Sequence, residues 1–71
     1  MSVFEVVAEI DAFEAPWGKK VVVREIEYEG GMKLLQVRIQ EGTRFTQLDL
    51  EATTAARLAN DLLSWSSVNE A

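Results

Sequence analysis

The chain has 71 residues, 48 % of them apolar and 27 % charged, with 12 acidic and 7 basic side chains and a net charge of −5. That length holds one small domain over residues 1–71 and excludes a two-domain enzyme with a deep cleft, while the apolar share excludes a disordered tail. The absence of cysteine and histidine excludes disulfides and thiolate metal sites and removes the usual general base, and the acidic balance is a poor basis for nonspecific DNA binding.

Residues 2–11 alternate, with Phe4, Val6, Ala8 and Ile10 on one face and Val3, Glu5, Val7 and Glu9 on the other. Period two with β-branched residues predicts a first strand. The run carries Glu5 and Glu9 and no preceding Lys or Arg, so no secretory signal is expected, and no stretch approaches a membrane span. The expectation is a soluble cytoplasmic protein. Pro16, Trp17 and Gly18 then form a turn.

Residues 19–29 give a second strand, and Gly30-Gly31 a two-residue hairpin turn. Residues 32–40 form a third strand, Gly42 marks another short turn, and residues 44–50 form a fourth. After Leu50 the period changes. Ala55, Leu58, Ala59, Leu62 and Trp65 follow the spacing of an amphipathic helix over 52–65, with 68–71 as a frayed tail. The expected fold is α+β: a four-stranded antiparallel meander followed by one C-terminal helix packed on one sheet face, in the order ββββα.

The first face gathers Phe4, Val6, Ile10, Val22, Ile26, Leu35, Val37, Ile39, Leu48 and Leu50, to be covered by Leu58, Leu62 and Trp65. On that reading Leu62→Asp buries an unpartnered charge and unfolds the chain. The second face still carries Val3, Val7, Val21, Val23, Leu34 and Phe45. Monomers rarely expose so contiguous an apolar patch, and a domain of this size has a marginal core. These six residues are therefore the expected homodimer interface, with curling of the sheet or a β-augmented hetero-complex as the alternatives.

Trp17, followed by Lys19 and Lys20, reads either as a lid over one end of the core or as a contact for a ligand or partner, together with Arg38. Arg24 and Arg44 fall on the first face and Arg38 on the second, so the cations do not converge. Glu25, Glu27 and Glu29, and likewise Glu9 and Asp11, read as solvated strand carboxylates rather than a metal site. Ser64, Ser66, Ser67 and Thr43 have no histidine to activate them, and Gly30-Gly31 lacks the spacing of a phosphate loop. No catalytic residue, cofactor or metal is expected.

The segments APWGKK (15–20), YEGGMKLLQVRI (28–39), EGTRFTQLDL (41–50) and TAARLANDLLSW (54–65) resemble a family of small uncharacterised bacterial proteins, a likeness that implies no catalytic residues. The ββββα order is similar to the single-stranded-DNA-binding domain of the positive-cofactor-four type coactivators. Those are dimers whose curved sheets hold unpaired strands through basic and aromatic residues. The leading expectation is a non-enzymatic interaction module, a homodimer that serves a larger protein as accessory or regulatory subunit. The alternative is a single-strand-binding dimer using Trp17, Lys19, Lys20 and Arg38.

Overall fold

The computed structural model describes residues 4–70. Four strands, β1 (Phe4–Ala15), β2 (Lys19–Tyr28), β3 (Lys33–Glu41) and β4 (Arg44–Leu50), precede one helix, α1 (Ala52–Asn69). The strands pair antiparallel in chain order, and α1 contacts β3 and β4. The ββββα meander expected from the alternating pattern is the observed fold. Val3, at the start of the expected interface, lies outside the described residues.

β1 runs four residues beyond the expected end, to Ala15, and turns through Pro16–Gly18 into β2. Its register on β2 shifts twice, between Val6 and Ala8 and between Glu9 and Asp11. Val7 and Ile10 are the skipped residues, so strict alternation fails in the middle of the strand. Glu9 lies opposite Arg24, and Asp11 opposite Val23, on opposite faces of the sheet. The second shift restores the parity lost at the first, and Phe13 pairs with Val21.

The β2–β3 hairpin decides the rest of the sheet. Its loop holds three residues, 29–31: Tyr28 N–H donates to Met32 O at 2.8 Å and Gly31 N–H to Tyr28 O at 3.0 Å. Gly30 and Gly31 adopt φ of 93° and 88°, values that side chains disfavour. A two-residue loop would pair odd with even positions. The three-residue loop pairs even with even, as in Ile26 with Leu34 and Val22 with Arg38. One residue in a turn moves every later side chain to the other face.

The two faces therefore differ from those expected. One, the valine face, gathers Phe13, Val21, Val23, Leu35, Val37, Ile39, Leu48 and Leu50. The other, the glutamine face, gathers Phe4, Val6, Val22, Ile26, Leu34 and Phe45 with Lys20, Arg24, Gln36, Arg38, Gln47 and Asp49. Val21 and Val23 of the expected interface are thus separated from Leu34 and Phe45. Arg24 and Arg38, expected apart, share a face.

α1 begins one residue after β4, with extended Glu51 as its N-cap. The Thr54 hydroxyl holds the Glu51 carboxyl below its usual range, as an anion at a helix N-terminus prefers. The helix continues to Asn69, so Val68 and Asn69 belong to it rather than to a frayed tail. Ser66 and Ser67 donate their hydroxyls to Leu63 O at 3.1 and 2.8 Å, and Asn69 Nδ2 donates to Trp65 O at 2.9 Å. These back-bonds keep polar residues helical at a C-terminus.

Among the described residues only Ile26, Leu50 and Gln36 are buried. Leu62 and Trp65, expected against the sheet, are 61 % and 70 % exposed. In the single chain, Leu62→Asp consequently buries no charge.

Candidate interaction surfaces

The valine face is aliphatic at its centre. Val23 lies opposite Val37, which lies opposite Leu48; Val21 lies opposite Ile39. Lys19, tied to Glu41 at 3.4 Å, closes one end, and Glu25 and Glu27 close the other. Helix α1 covers little of this surface. Leu48 and Leu50 share a cleft with Thr54, Arg57, Leu58 and Asp61 of its first turns. Beyond Leu58 the helix carries its apolar side in the open. At 100° per residue, Leu58, Leu62 and Trp65 form one flank, Leu63 the other, and Ala55 and Ala59 the small strip between them. Leu63, two-thirds exposed, widens the stripe beyond the spacing used to find it.

The glutamine face is held by a polar chain that sequence reasoning missed. Arg24 Nε donates to Gln36 Oε1 at 2.7 Å, and Gln36 Nε2 donates to Asp49 Oδ1 at 3.1 Å. Tyr28 donates its hydroxyl to Asp49 Oδ2 at 3.0 Å. Gln36, fully buried beside Ile26, has its amide satisfied at both ends, as burial requires. The signal was present in the sequence as four polar residues on three strands, but only the register brings them together.

The Asp49 hydrogen bond, then burial, then the Asp49 charge raise the Tyr28 phenol above its ordinary 10.0. The folded value exceeds the unfolded one, so the stabilisation is complete below about pH 10 and is lost as pH rises through the folded value. Tyr28→Phe is expected to remove that alkaline loss. Thermal melts of both proteins across this range check it, and identical alkaline slopes would count against the contact.

Farther along this face the Arg38 guanidinium stacks over Phe45, 4.2 Å from the ring centroid. Its Nε is buried with no hydrogen-bond partner. Phe4 meets Tyr28 edge-on, with ring centroids 5.6 Å apart.

Trp17 occupies the β1–β2 tip, 89 % exposed. It is no lid over the core. Its φ is 64°, a left-handed conformation that costs a bulky residue about 1–3 kcal/mol. Strain and exposure together leave the indole without a structural reason within the chain. Trp17→Gly is accordingly expected to hold stability within about 1 kcal/mol of the parent, on the stabilising side. A melting-temperature fall equivalent to 2 kcal/mol or more, in the range of about 2–5 kcal/mol for a truncated core residue, would restore the lid. Of the four expected contacts, Lys20 and Arg38 share the glutamine face, Lys19 belongs to the opposite one, and Trp17 stands at the tip.

Among the described residues no group of three or more carboxylates is placed to hold a metal ion, and no helix is long and apolar enough to cross a membrane. The model of a family of unknown function, DUF6967, matches residues 4–68. No curated protein and no solved structure matches the chain.

Proposed function

For a chain that belongs to DUF6967, a family of unknown function, we propose the role of a homodimeric protein-interaction module acting as an accessory or regulatory subunit. Surface area carries the proposal. The chain exposes 5753 Å², against about 4,450 Å² for a compact monomer of 8.0 kDa. The excess, about 1,300 Å² per copy, matches the larger, obligate class of dimer interface. The radius of gyration, 13.8 Å, likewise exceeds the roughly 11 Å of a compact 71-residue domain. The apolar residues of the valine face and of α1 are the surface that association would cover. Trp17, strained and open at the far tip, then remains for the larger partner.

Light scattering at micromolar concentration tests the dimer. The expected mass is twice 8.0 kDa; a mass equal to one chain overturns it. A photo-crosslinking side chain at position 17, used in the native cell, tests the partner contact. The expected adduct exceeds the mass of the dimer, and adducts with the chain itself alone would remove the accessory role.

Single-strand binding is the second reading. Lys20, Arg24, Arg38 and Phe45 on one face favour it. Glu14 opposite Lys20 and Glu9 opposite Arg24 oppose it, because carboxylates beside the cations weaken the positive potential that would draw phosphate. A labelled single strand in low salt decides between the two: binding that weakens steeply with salt supports nucleic acid, and none at low salt dismisses it.

A further inference from the structure

We propose that the second copy supplies the cover for the valine face, with each α1 lying along that face of its partner in a reciprocal exchange. The inference rests on the homodimer proposed above and adds its geometry. Each chain holds two apolar surfaces of different shape. One is a sheet face centred on Val23, Val37 and Leu48; the other is the helix stripe of Leu62, Leu63 and Trp65. A helix stripe and an apolar sheet face are the two halves of one packing layer. Under two-fold symmetry a single contact between them occurs twice, so one arrangement covers all four surfaces of the pair. Helix against helix would leave both valine faces in water, and sheet against sheet would leave both stripes.

The dimensions agree. Eighteen residues of α1 span about 27 Å. Strands of seven to ten residues span about 23–33 Å. The helix is therefore as long as the face. Its own chain cannot supply the contact without a change at the junction. Only Glu51 separates β4 from α1, and α1 meets its own sheet at β3 and β4 through the first turns. Leu62, Leu63 and Trp65, in the second half of the helix, are 61 %, 66 % and 70 % exposed, so they do not cover the valine face of their own chain. Reciprocal exchange also accounts for the size of the excess area, since each copy gives up a helix stripe and a sheet face together.

Isotope-filtered NMR on a dimer mixed from methyl-labelled and unlabelled copies tests this arrangement. Contacts between copies are expected from the Trp65 indole and the Leu62 methyls to the methyls of Val21, Val23 and Val37. In a Trp17→Phe variant, which leaves Trp65 as the sole indole, emission should be blue-shifted in the dimer and move to the red on dilution. A dimer whose contacts between copies run only helix to helix, or only sheet to sheet, overturns the exchange and leaves the dimer standing. A Trp65 contact to Val37 of the same copy likewise overturns the exchange, and a mass of one chain overturns both.

Discussion

Val23→Glu is expected to turn the proposed dimer into a monomer with its sheet intact. Val23 sits mid-strand on β2, between Val37 on β3 and Asp11 on β1, at the centre of the valine face. A carboxylate there meets Glu25 two residues along the same face and finds no cation opposite. Closing an apolar interface over an unpaired charge costs about 3–5 kcal/mol, and the two-fold imposes it twice. The dissociation constant should rise by roughly 10⁴-fold or more. Light scattering should return the mass of one chain. Helix content should fall, because an 18-residue helix with nothing against its apolar side is marginal in water. The control is Ala12→Glu, opposite Val22 on the glutamine face, which should leave the dimer mass unchanged. Equal effects from both variants would mean that added charge, rather than the valine face, controls association.

Gln36→Leu is expected to be the most damaging substitution in the sheet itself. Leucine has about the volume of glutamine and is apolar, so a rule of filling the core with oil would tolerate it. The structure argues otherwise. The Gln36 amide accepts from Arg24 and donates to Asp49; its loss strands the part-buried Arg24 Nε, while exposed Asp49 keeps the Tyr28 hydroxyl. Charged hydrogen bonds of this kind are worth about 1.5–3 kcal/mol each, and the part-buried guanidinium left without its acceptor adds a desolvation penalty. A loss of about 2–4 kcal/mol is a large part of the stability of any small domain. Urea melts measure it. Gln36→Glu separates packing from bonding: it keeps the Arg24 contact and sets a second carboxylate against Asp49, so it should recover stability as pH falls. A Gln36→Leu protein as stable as the parent would show that the polar chain contributes nothing net.

Strand existence was legible in the sequence because alternation is a local property. Val21, Val23, Leu35, Val37 and Ile39 announced their strands without reference to one another. Which of them share a face was not legible, because that depends on turns. The Gly30-Gly31 pair suggests a two-residue loop, yet Glu29 joins it, and that one residue carries Leu34 and Phe45 away from Val21 and Val23. The shifts at Val7 and Ile10 in β1 escaped for the same reason: nothing in the local pattern of an edge strand marks where it gains a residue over its partner. The residues expected to form one interface are therefore divided, with Val21 and Val23 on one face and Leu34 and Phe45 on the other. The helix was found from its stripe, but a stripe says only that something covers it. Assigning Leu62 and Trp65 to their own sheet assumed a core that this junction does not build.

Strand order that follows chain order has a consequence for how the molecule assembles. Every strand pairing closes through a turn of two or three residues, so each hairpin carries little loop entropy and forms within microseconds of collapse. Low contact order favours rapid folding of the sheet while the helix, last in the chain, is still arriving. For the proposed dimer the step that remains is an encounter between two chains, and its rate rises with protein concentration while hairpin closure does not. Refolding from denaturant should consequently split into a fast phase indifferent to dilution and a slower phase that lengthens with it.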